Sequence, residues 1–252
     1  MNGLLKAKIQ MENNNINENT QINSAPKPEN KQKQIILSVI IVLLFVGLAI
    51  FLGGNKPPLQ KSNDNQATEN QIRPVSVDEH IIGNPNAKIV IVEYSDTECP
   101  FCKRFHETMQ SIVVAYNGDL AWVYRHYPIP QLHEKAFKEA EATECVWEQG
   151  GNDMFWKYTN ELYNRTRSND SFPVEGLFDL AKEMGADIGI FTKCLEDRKY
   201  ENKIENDIMD GKKLGVKGTP TSAILINGEV VDIIEGSQDF EGLKERLDYL
   251  LK

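Results

Sequence analysis

A run rich in β-branched residues at 88–94 is followed, five residues later, by the first of two cysteines in the spacing Cys-x-x-Cys, Cys99 and Cys102. Such a short apolar run is typical of a buried strand. Over residues 99–116 apolar side chains recur every three or four positions, which predicts an amphipathic helix. The cysteine pair is thus predicted at the first turn of a helix that directly follows a strand, and this placement constrains the fold more than any other feature.

The first turn of a helix favours a negative charge, because unpaired backbone N–H groups and the helix dipole point at it. A thiolate there is stabilised and its pKa falls. We therefore expect Cys99 to be the exposed nucleophile that forms a mixed disulfide, and Cys102, one turn further in, to be more buried and to resolve it. Pro100 suits the first helical position, where its missing N–H costs no hydrogen bond.

The cysteine spacing alone also fits half of a zinc site, or coincidence. A zinc site needs two further ligands at suitable spacing. The other two cysteines, Cys145 and Cys194, are single, far apart and set in helical sequence. The pattern therefore favours a redox pair with no metal and no cofactor.

The remaining elements follow from periodicity and turn residues. Residues 120–127 predict a second strand, parallel to the first through a right-handed crossover. The dipeptide Asn227-Gly228 is typical of a tight hairpin and joins two predicted strands, 221–226 and 229–234. A final helix is predicted at 238–251. Residues 133–214 contain no convincing strand, and their helical stretches are predicted near 133–148, 153–165, 174–184, 187–197 and 198–214.

The chain before this folded part divides into three segments. Residues 1–34 are rich in Asn, Gln and Lys, which predicts a disordered tail. Residues 35–52 carry no charge and would span about 27 Å as a helix, close to the hydrocarbon thickness of a bilayer. Residues 53–78 are polar again and predict a flexible stem. The folded domain is expected at 79–252.

The apolar segment is predicted to be an uncleaved membrane anchor, because 34 residues precede it and it exceeds a signal-peptide core in length. Three lysines, at 27, 31 and 33, flank its start and two, at 56 and 61, follow its end. The positive-inside rule then places the N-terminus in the cytoplasm and the folded domain outside.

Charge excludes one class of partner. The net charge is −9, and residues 1–54 hold five Lys and three Glu, so the remainder carries −11. An acidic domain argues against nucleic acid as a partner.

A second motif, Gly218-Thr219-Pro220-Thr221, precedes the predicted hairpin. Most X-Pro bonds are trans, and a proline here is also compatible with a simple strand edge. A cis bond would instead lay the backbone of Thr219 beside the cysteine pair, where its N–H and C=O could pair with an extended substrate peptide.

The segments VEYSDTECPFCKRFH and GVKGTPTSAILING together closely resemble the DsbA-like branch of the thioredoxin superfamily, over about residues 75–252. The resemblance implies an α/β thioredoxin fold with an all-helical subdomain inserted at about 133–214. It also implies that Cys99 is the nucleophile, Cys102 the resolving cysteine and Pro220 a cis-proline preceded by Thr219.

The function that this resemblance implies is disulfide donation to reduced or unfolded exported proteins, with reoxidation by a quinone-linked membrane partner. One departure concerns the dipeptide between the cysteines. Strongly oxidising members have His where this chain has Phe101, and Phe supplies neither a charge nor a donor to the thiolate. A disulfide isomerase or reductase therefore stays open, as does a tethered chaperone-like module that binds clients. A monomer is expected, since residues 53–78 are too short and polar for the N-terminal dimerisation domain of isomerase-type relatives.

The sequence also predicts the role or the environment of several individual acidic residues, cysteines and histidines. Glu93 ends the first strand and is a candidate proton shuttle, because thioredoxin-like proteins can use a buried carboxylate beneath the cysteine pair. Cys145 and Cys194 are expected to form a structural disulfide, with two buried free thiols as the alternative. Glu98, beside Cys99, is expected to be solvated. The histidines at 106, 126 and 133 are expected to be surface or packing residues.

Overall fold

The computed structural model describes residues 72–76 and 78–252. The predicted tail at 1–34, the predicted membrane segment at 35–52 and most of the predicted stem at 53–78 lie outside the described residues. Within the described residues, no helix is both long enough and apolar enough to cross a bilayer.

A five-stranded mixed sheet forms the centre of the domain, in the order β1-β3-β2-β4-β5. Strands β2 and β3 are parallel and every other neighbouring pair is antiparallel. The predicted parallel crossover and the predicted hairpin are both confirmed. The strands are β1 His80–Gly83, β2 Ile89–Ser95, β3 Leu120–His126, β4 Thr221–Ile226 and β5 Glu229–Glu235.

Strand β1 was not predicted, because its four residues are too few to show a period. It pairs antiparallel with β3 and forms one edge of the sheet. Its last residue, Gly83, has φ 98°, and a Cβ atom there would lie 2.5 Å from the Leu120 carbonyl oxygen. Glycine is required at this point, since only its backbone can turn away while lying so close to β3.

Six helices surround the sheet: α1 Pro100–Ala115, α2 Ala136–Arg165, α3 Val174–Glu183, α4 Ile188–Glu196, α5 Glu201–Leu214 and α6 Phe240–Leu250. Helices α2 to α5 lie between β3 and β4 in sequence, so the predicted helical insertion is confirmed. The predicted division between helices near 133–148 and 153–165 is confirmed, because Gly151 adopts a non-helical φ of 62° and ψ of −155° inside the span Ala136–Arg165. Helix α2 therefore consists of two helical segments joined by a kink at this glycine.

Both faces of the sheet are covered. One face packs against α1 and α6, and its cluster of buried residues includes Cys99 and Cys102. The apolar face of α1 contributes Phe105, Met109 and Ile112, and burial of each such side chain stabilises the fold by about 1.5–3 kcal/mol. The opposite face packs against α5 in a separate cluster. The cysteine pair is therefore part of the main hydrophobic core.

The helical insertion has a core of its own, formed chiefly by α2, α3 and α4. A disulfide between Cys145 and Cys194, with an S–S distance of 1.98 Å, joins α2 to α4 inside this core. Its residues are separated by 49 positions in sequence. The bond therefore closes a long loop and holds α2 and α4 together inside the insertion.

We expect the double substitution Cys145→Ala/Cys194→Ala to lower the free energy of unfolding of the oxidised protein by about 4 kcal/mol, from the loop-closure entropy of a loop of this length. Denaturant unfolding measures the difference. In the presence of reductant the parent and the variant should converge. Equal stability of the two without reductant would contradict a stabilising role for this disulfide.

Candidate active site

The turn between β2 and α1 positions both cysteines of the redox motif. Cys99 is the N-cap residue of α1, with an extended backbone at φ −78° and ψ 123°, and Pro100 follows it at the start of the helix. The Cys99 N–H donates to the Asp96 carbonyl at 3.1 Å, and the Lys103 N–H donates to the Cys99 carbonyl at 3.1 Å. These two backbone hydrogen bonds fix the start of α1 at the proposed nucleophile.

The Cys99 sulfur lies against the loop that precedes β4. Its thiol donates to the Thr219 carbonyl at 3.3 Å, across a sequence separation of 120 residues. The Thr219–Pro220 peptide bond is cis. A cavity of about 360 Å³ beside this contact is lined by Phe101, by residues 217–221 and by Glu235 and Gly236. The two motifs on which the resemblance was based therefore meet at one site.

The greater burial of Cys102 is confirmed, but the exposure of Cys99 departs from the prediction. Cys99 was expected to be exposed, yet only 5% of its surface is accessible, while Cys102 is fully buried. The reason is that the loop before β4 covers the Cys99 sulfur. The exposed residue of the motif is Phe101, at 52%, with the Arg104 guanidinium 4.7 Å from the centre of its ring. An apolar surface thus lies directly beside a nearly covered sulfur.

The environments of the two sulfurs push their pKa values apart. A hydrogen bond from the Cys102 thiol, with further ones from the backbone N–H groups of Cys102 and Phe101 and from Thr219, lowers the pKa of Cys99 to about 6 against the opposing effect of burial. Burial and the neighbouring Cys99 charge raise the pKa of Cys102 well above its ordinary value. At neutral pH the reduced pair therefore holds a thiolate at Cys99 and a thiol at Cys102.

Glu93 is fully buried on β2, opposite Ser222 of β4 and Tyr124 of β3. Neither of its carboxyl oxygens has a hydrogen-bond partner among the described residues. Burial raises the pKa of Glu93 to about 7, and the charge at Cys99 adds to this effect. In turn, the Glu93 charge raises the pKa of Cys102. Glu93 can therefore exchange a proton near neutral pH close to the resolving cysteine.

Glu98 is buried, and the expectation that it would be solvated is wrong. Residues 166–170, which follow α2, cover it. The Asp170 N–H donates to Glu98 Oε2 at 2.6 Å, and the Asn169 N–H donates to the Glu98 carbonyl at 2.8 Å. Burial and the neighbouring Glu98 carboxyl raise the pKa of Glu139 to about 9. The two carboxyls therefore hold at least one proton at neutral pH, which limits the negative charge beside Cys99.

Asp96 and His133 form a buried pair that the sequence reasoning missed. His133 Nδ1 lies 2.9 Å from Asp96 Oδ2. His133 was expected only to pack or to face solvent, because nothing in its local sequence connects it to residue 96. The one available signal was the position of His133 in the segment after β3. Strand β3 ends beside the end of β2, because the two strands are parallel neighbours.

A second buried cluster lies away from the cysteines. Oε1 of Glu144 is 2.5 Å from His80 Nε2, 3.0 Å from His126 Nε2 and 2.5 Å from Lys203 Nζ. Ligand atoms of the two histidines and the glutamate all lie within 4.8 Å of one another, a spacing compatible with a metal ion. The Lys203 ammonium, however, already supplies a cation to the same carboxylate oxygen. We therefore interpret the cluster as an ion pair that ties β1 to α2 and α5.

Known proteins share this fold. A family model described as thioredoxin matches residues 75–249, which is well over half of the chain. The chain belongs to the thioredoxin family. Among solved structures, the crystal structure of Pseudomonas aeruginosa DsbA2 superposes with a TM-score of 0.59 at 26% identity, over 71% of this chain and 97% of that one.

The structural likeness places this thioredoxin-family chain with DsbA-type thiol–disulfide oxidoreductases. Oxidised BdbD from Bacillus subtilis superposes with a TM-score of 0.59 over 72% of this chain and 97% of that one, at 22% identity, which supports the fold. The predicted DsbA-like membership is confirmed.

A curated relative carries a different name. The Na⁺/H⁺ antiporter NhaA 1 of Mycolicibacterium gilvum is 30% identical over 161 residues, which cover 63% of this chain and 25% of the antiporter. The chain spans about a quarter of the length of the first curated relatives that it matches. The similarity therefore concerns one part of those proteins.

We expect the substitution Glu93→Gln to stabilise the reduced thioredoxin domain above neutral pH. The folded state raises the pKa of Glu93 from 4.5 to about 7, so the folded state binds more protons than the unfolded state between these values. Stability of the parent therefore falls as pH rises through this window, by up to about 3 kcal/mol, and the variant lacks this loss.

Denaturant unfolding of both proteins at pH 4.5 and at pH 8 checks the prediction. The difference in free energy of unfolding between parent and variant should appear only at the higher pH. Glu107→Gln, at an exposed position of α1, is the matched control and should change stability by less than about 0.5 kcal/mol at either pH. A pH-independent gap for Glu93→Gln would show that its carboxyl does not titrate in this window.

Proposed function

We propose that this chain is a membrane-anchored disulfide oxidase that donates the Cys99–Cys102 disulfide to reduced or unfolded exported proteins. One observation carries the proposal. The sulfur of Cys99 lies at the start of α1 with its pKa lowered to about 6, against the Thr219 carbonyl, while Cys102 is fully buried behind it. The Cys102 thiol and the N–H groups at the start of α1 stabilise the reduced pair as a thiolate, and stabilising the reduced form makes the disulfide a stronger oxidant.

The reaction begins from the oxidised pair. A client thiolate attacks Cys99 Sγ, the Cys99–Cys102 bond breaks, and the mixed disulfide forms while Cys102 takes up a proton. A second client thiolate then attacks the client sulfur of the mixed disulfide, and Cys99 leaves as a thiolate. Two electrons pass from the client to the cysteine pair, and the client gains one disulfide. The low pKa of Cys99 favours the second step, because a more acidic thiol is a better leaving group.

In this scheme Glu93 donates the proton that Cys102 takes up. Its pKa of about 7 lets it hold or release a proton at neutral pH, and its charge acts on Cys102. Because Cys102 is fully buried, its sulfur needs an internal proton donor when the disulfide opens. Transfer from Glu93 to Cys102 would supply that proton without a path from bulk solvent.

The loop before β4 has the role of binding the client backbone in this proposal. The Thr219 carbonyl already accepts the Cys99 thiol at 3.3 Å, so it faces the position that a client sulfur would occupy. An extended peptide beside Thr219 and Pro220 could exchange backbone hydrogen bonds with this loop, which gives affinity without strict sequence preference. The exposed Phe101 ring next to it suits apolar segments of unfolded chains.

An isomerase or reductase is the second candidate, favoured by Phe101. Phenylalanine provides no charge or hydrogen-bond donor to the thiolate. The lowered pKa of Cys99 weighs against this candidate, because a stabilised thiolate makes the disulfide a stronger oxidant. A tethered chaperone-like module is a third alternative, which would need clients but not the sulfurs.

The cellular location that we propose is based on the residues that precede the domain. We propose a cytoplasmic tail at 1–34, a single membrane anchor at 35–52 and an extracytoplasmic stem at 53–78 that tethers the domain at 79–252. The Cys145–Cys194 disulfide supports this orientation, because structural disulfides persist in oxidising compartments. Reoxidation by a quinone-linked membrane protein and a monomeric state complete the proposal, and both rest on the resemblance alone.

The two cysteines should behave differently towards a reduced, unfolded model protein. We expect Cys102→Ala, supplied as a disulfide of Cys99 with a small thiol, to accumulate mixed disulfides with a client that has a single cysteine, because neither Cys102 nor a second client thiol is present to resolve them. Cys99→Ala should form none and should lose client oxidation entirely. Non-reducing gel electrophoresis of the trapped species measures both outcomes.

Equilibration of the parent with glutathione provides the deciding control. An oxidase requires a reduction potential clearly above the value of about −270 mV for thioredoxin. A potential near that value, together with reduction of client disulfides, would replace the oxidase by a reductase. Protection of clients from aggregation that Cys99→Ala retains in full would instead support the chaperone-like module.

Orientation in the membrane is tested with single cysteines outside the domain. In a Cys99→Ala/Cys102→Ala background, Asn63→Cys should react with a membrane-impermeant maleimide in intact cells. Asn15→Cys, on the other side of the apolar segment, should react only after the membrane is permeabilised. The reverse pattern would invert the proposed topology, and equal labelling in intact cells would argue against an anchor.

A further inference from the structure

His133 is buried, although it belongs to the connection that leads from β3 to α2, and 5% of its surface is accessible. Its ring nitrogen Nδ1 lies 2.9 Å from Asp96 Oδ2. The same carboxylate oxygen accepts the Ile129 N–H at 2.9 Å, and its other oxygen accepts the Glu98 N–H at 2.9 Å. Asp96 is thus a saturated, buried carboxylate whose only side-chain cation among the described residues is His133.

Asp96 contacts both cysteines through its backbone. Its carbonyl accepts the Cys99 N–H at 3.1 Å, and its N–H lies 3.4 Å from the Cys102 sulfur, to which it donates. The carboxylate is therefore attached to the residue that holds both reactive sulfurs. A full negative charge on the side chain of this residue would oppose a negative charge on the Cys99 sulfur.

We propose that His133, ion-paired with Asp96, is the charge-positioning residue for the redox pair, and that it offsets the Asp96 carboxylate so that Cys99 can carry a thiolate. The imidazolium then supplies positive charge from the segment after β3. Phe101, which lies between the two cysteines in sequence, supplies none.

Other charged groups lie around this pair. The Glu139 carboxyl acts on Asp96 and Glu98 and keeps a proton at neutral pH, as described above. Asp170 adds negative charge near His133, and its side-chain oxygen accepts the Lys135 N–H while its carbonyl accepts the Lys135 ammonium. His133 is accordingly surrounded by more acidic than basic groups, which favours its charged form.

The pKa directions agree with this geometry. Burial opposes the charged form of His133, but the hydrogen bond and the charge of Asp96 outweigh it, and the charges of Cys99 and Asp170 add to them, so the pKa of His133 is raised. Burial raises the pKa of Asp96, and the hydrogen bond from His133 opposes that rise. Each charge therefore depends on the other.

Thermodynamic reciprocity gives a direct test that needs no substitution. If the His133 charge favours the Cys99 thiolate, then the thiolate must favour charged His133 to the same extent. The inference rests on the proposed redox role of the pair, but this experiment needs only that Cys99 and Cys102 can be reduced and oxidised. Failure of disulfide donation to clients would leave it intact.

The experiment follows the four histidines of the full chain in detergent by NMR, with isotope-labelled imidazoles, in the reduced and in the oxidised state. We expect the pKa of His133 to be higher in the reduced state by about 0.5 to 1, because only that state carries the thiolate. His106 is the internal control. Burial lowers its pKa to about 4, and its nearest polar partner is Asn160, so its signal should not differ between the two states.

Variants extend the test to the carboxylate. His133→Gln should raise the pKa of Cys99, read from thiolate absorbance, by the same amount, and should weaken the oxidising equilibrium with glutathione about fivefold at pH 7. Adding Asp96→Asn to His133→Gln should restore the pKa of Cys99, because the uncompensated carboxylate is then gone. His106→Gln removes another buried histidine and should leave Cys99 unchanged.

The outcomes separate clearly. Equal pKa values of His133 in the two redox states would overturn the proposal, and this measurement stands even if His133→Gln fails to fold. An unchanged pKa of Cys99 in a folded His133→Gln variant would overturn the proposal as well. A raised pKa of Cys99 that the second substitution does not restore would overturn the part assigned to Asp96.

Discussion

The hydrogen bonds that converge on the Cys99 sulfur govern the rest of the site. The Cys102 thiol and the first N–H groups of α1 point at it, and they can do so only because the helix begins at this residue. That starting point is set in turn by the Asp96 carbonyl, which holds the Cys99 N–H outside the helix. A helix that began one residue earlier or later would direct the same donors at a different side chain.

Much of this arrangement was predictable because it is local. The strand, the turn and the helix around Cys99 lie within about 30 consecutive residues, and their periodicity is strong. The hairpin was predictable for the same reason, since Asn227 at φ 53° and Gly228 at φ 85° adopt the left-handed conformations that their residue types favour. The long helical insertion followed from the absence of any alternating pattern.

The parts that the sequence did not reveal depend on distant contacts. Glu98 is buried because residues 169 and 170 donate backbone hydrogen bonds to it, and no property of Glu98 itself announces this. His133 meets Asp96 across 37 positions, and the pairing exists only once β2 and β3 lie side by side.

The chain leaves the sheet for the helical insertion after β3 and returns to it before β4, and each crossing carries a residue of the site. The outgoing segment holds His133 and the returning segment holds Thr219. The position of the insertion and the geometry around the sulfur are therefore tied together, because the two connections that attach the insertion to the sheet also supply an imidazole and a carbonyl to the surroundings of the cysteine pair.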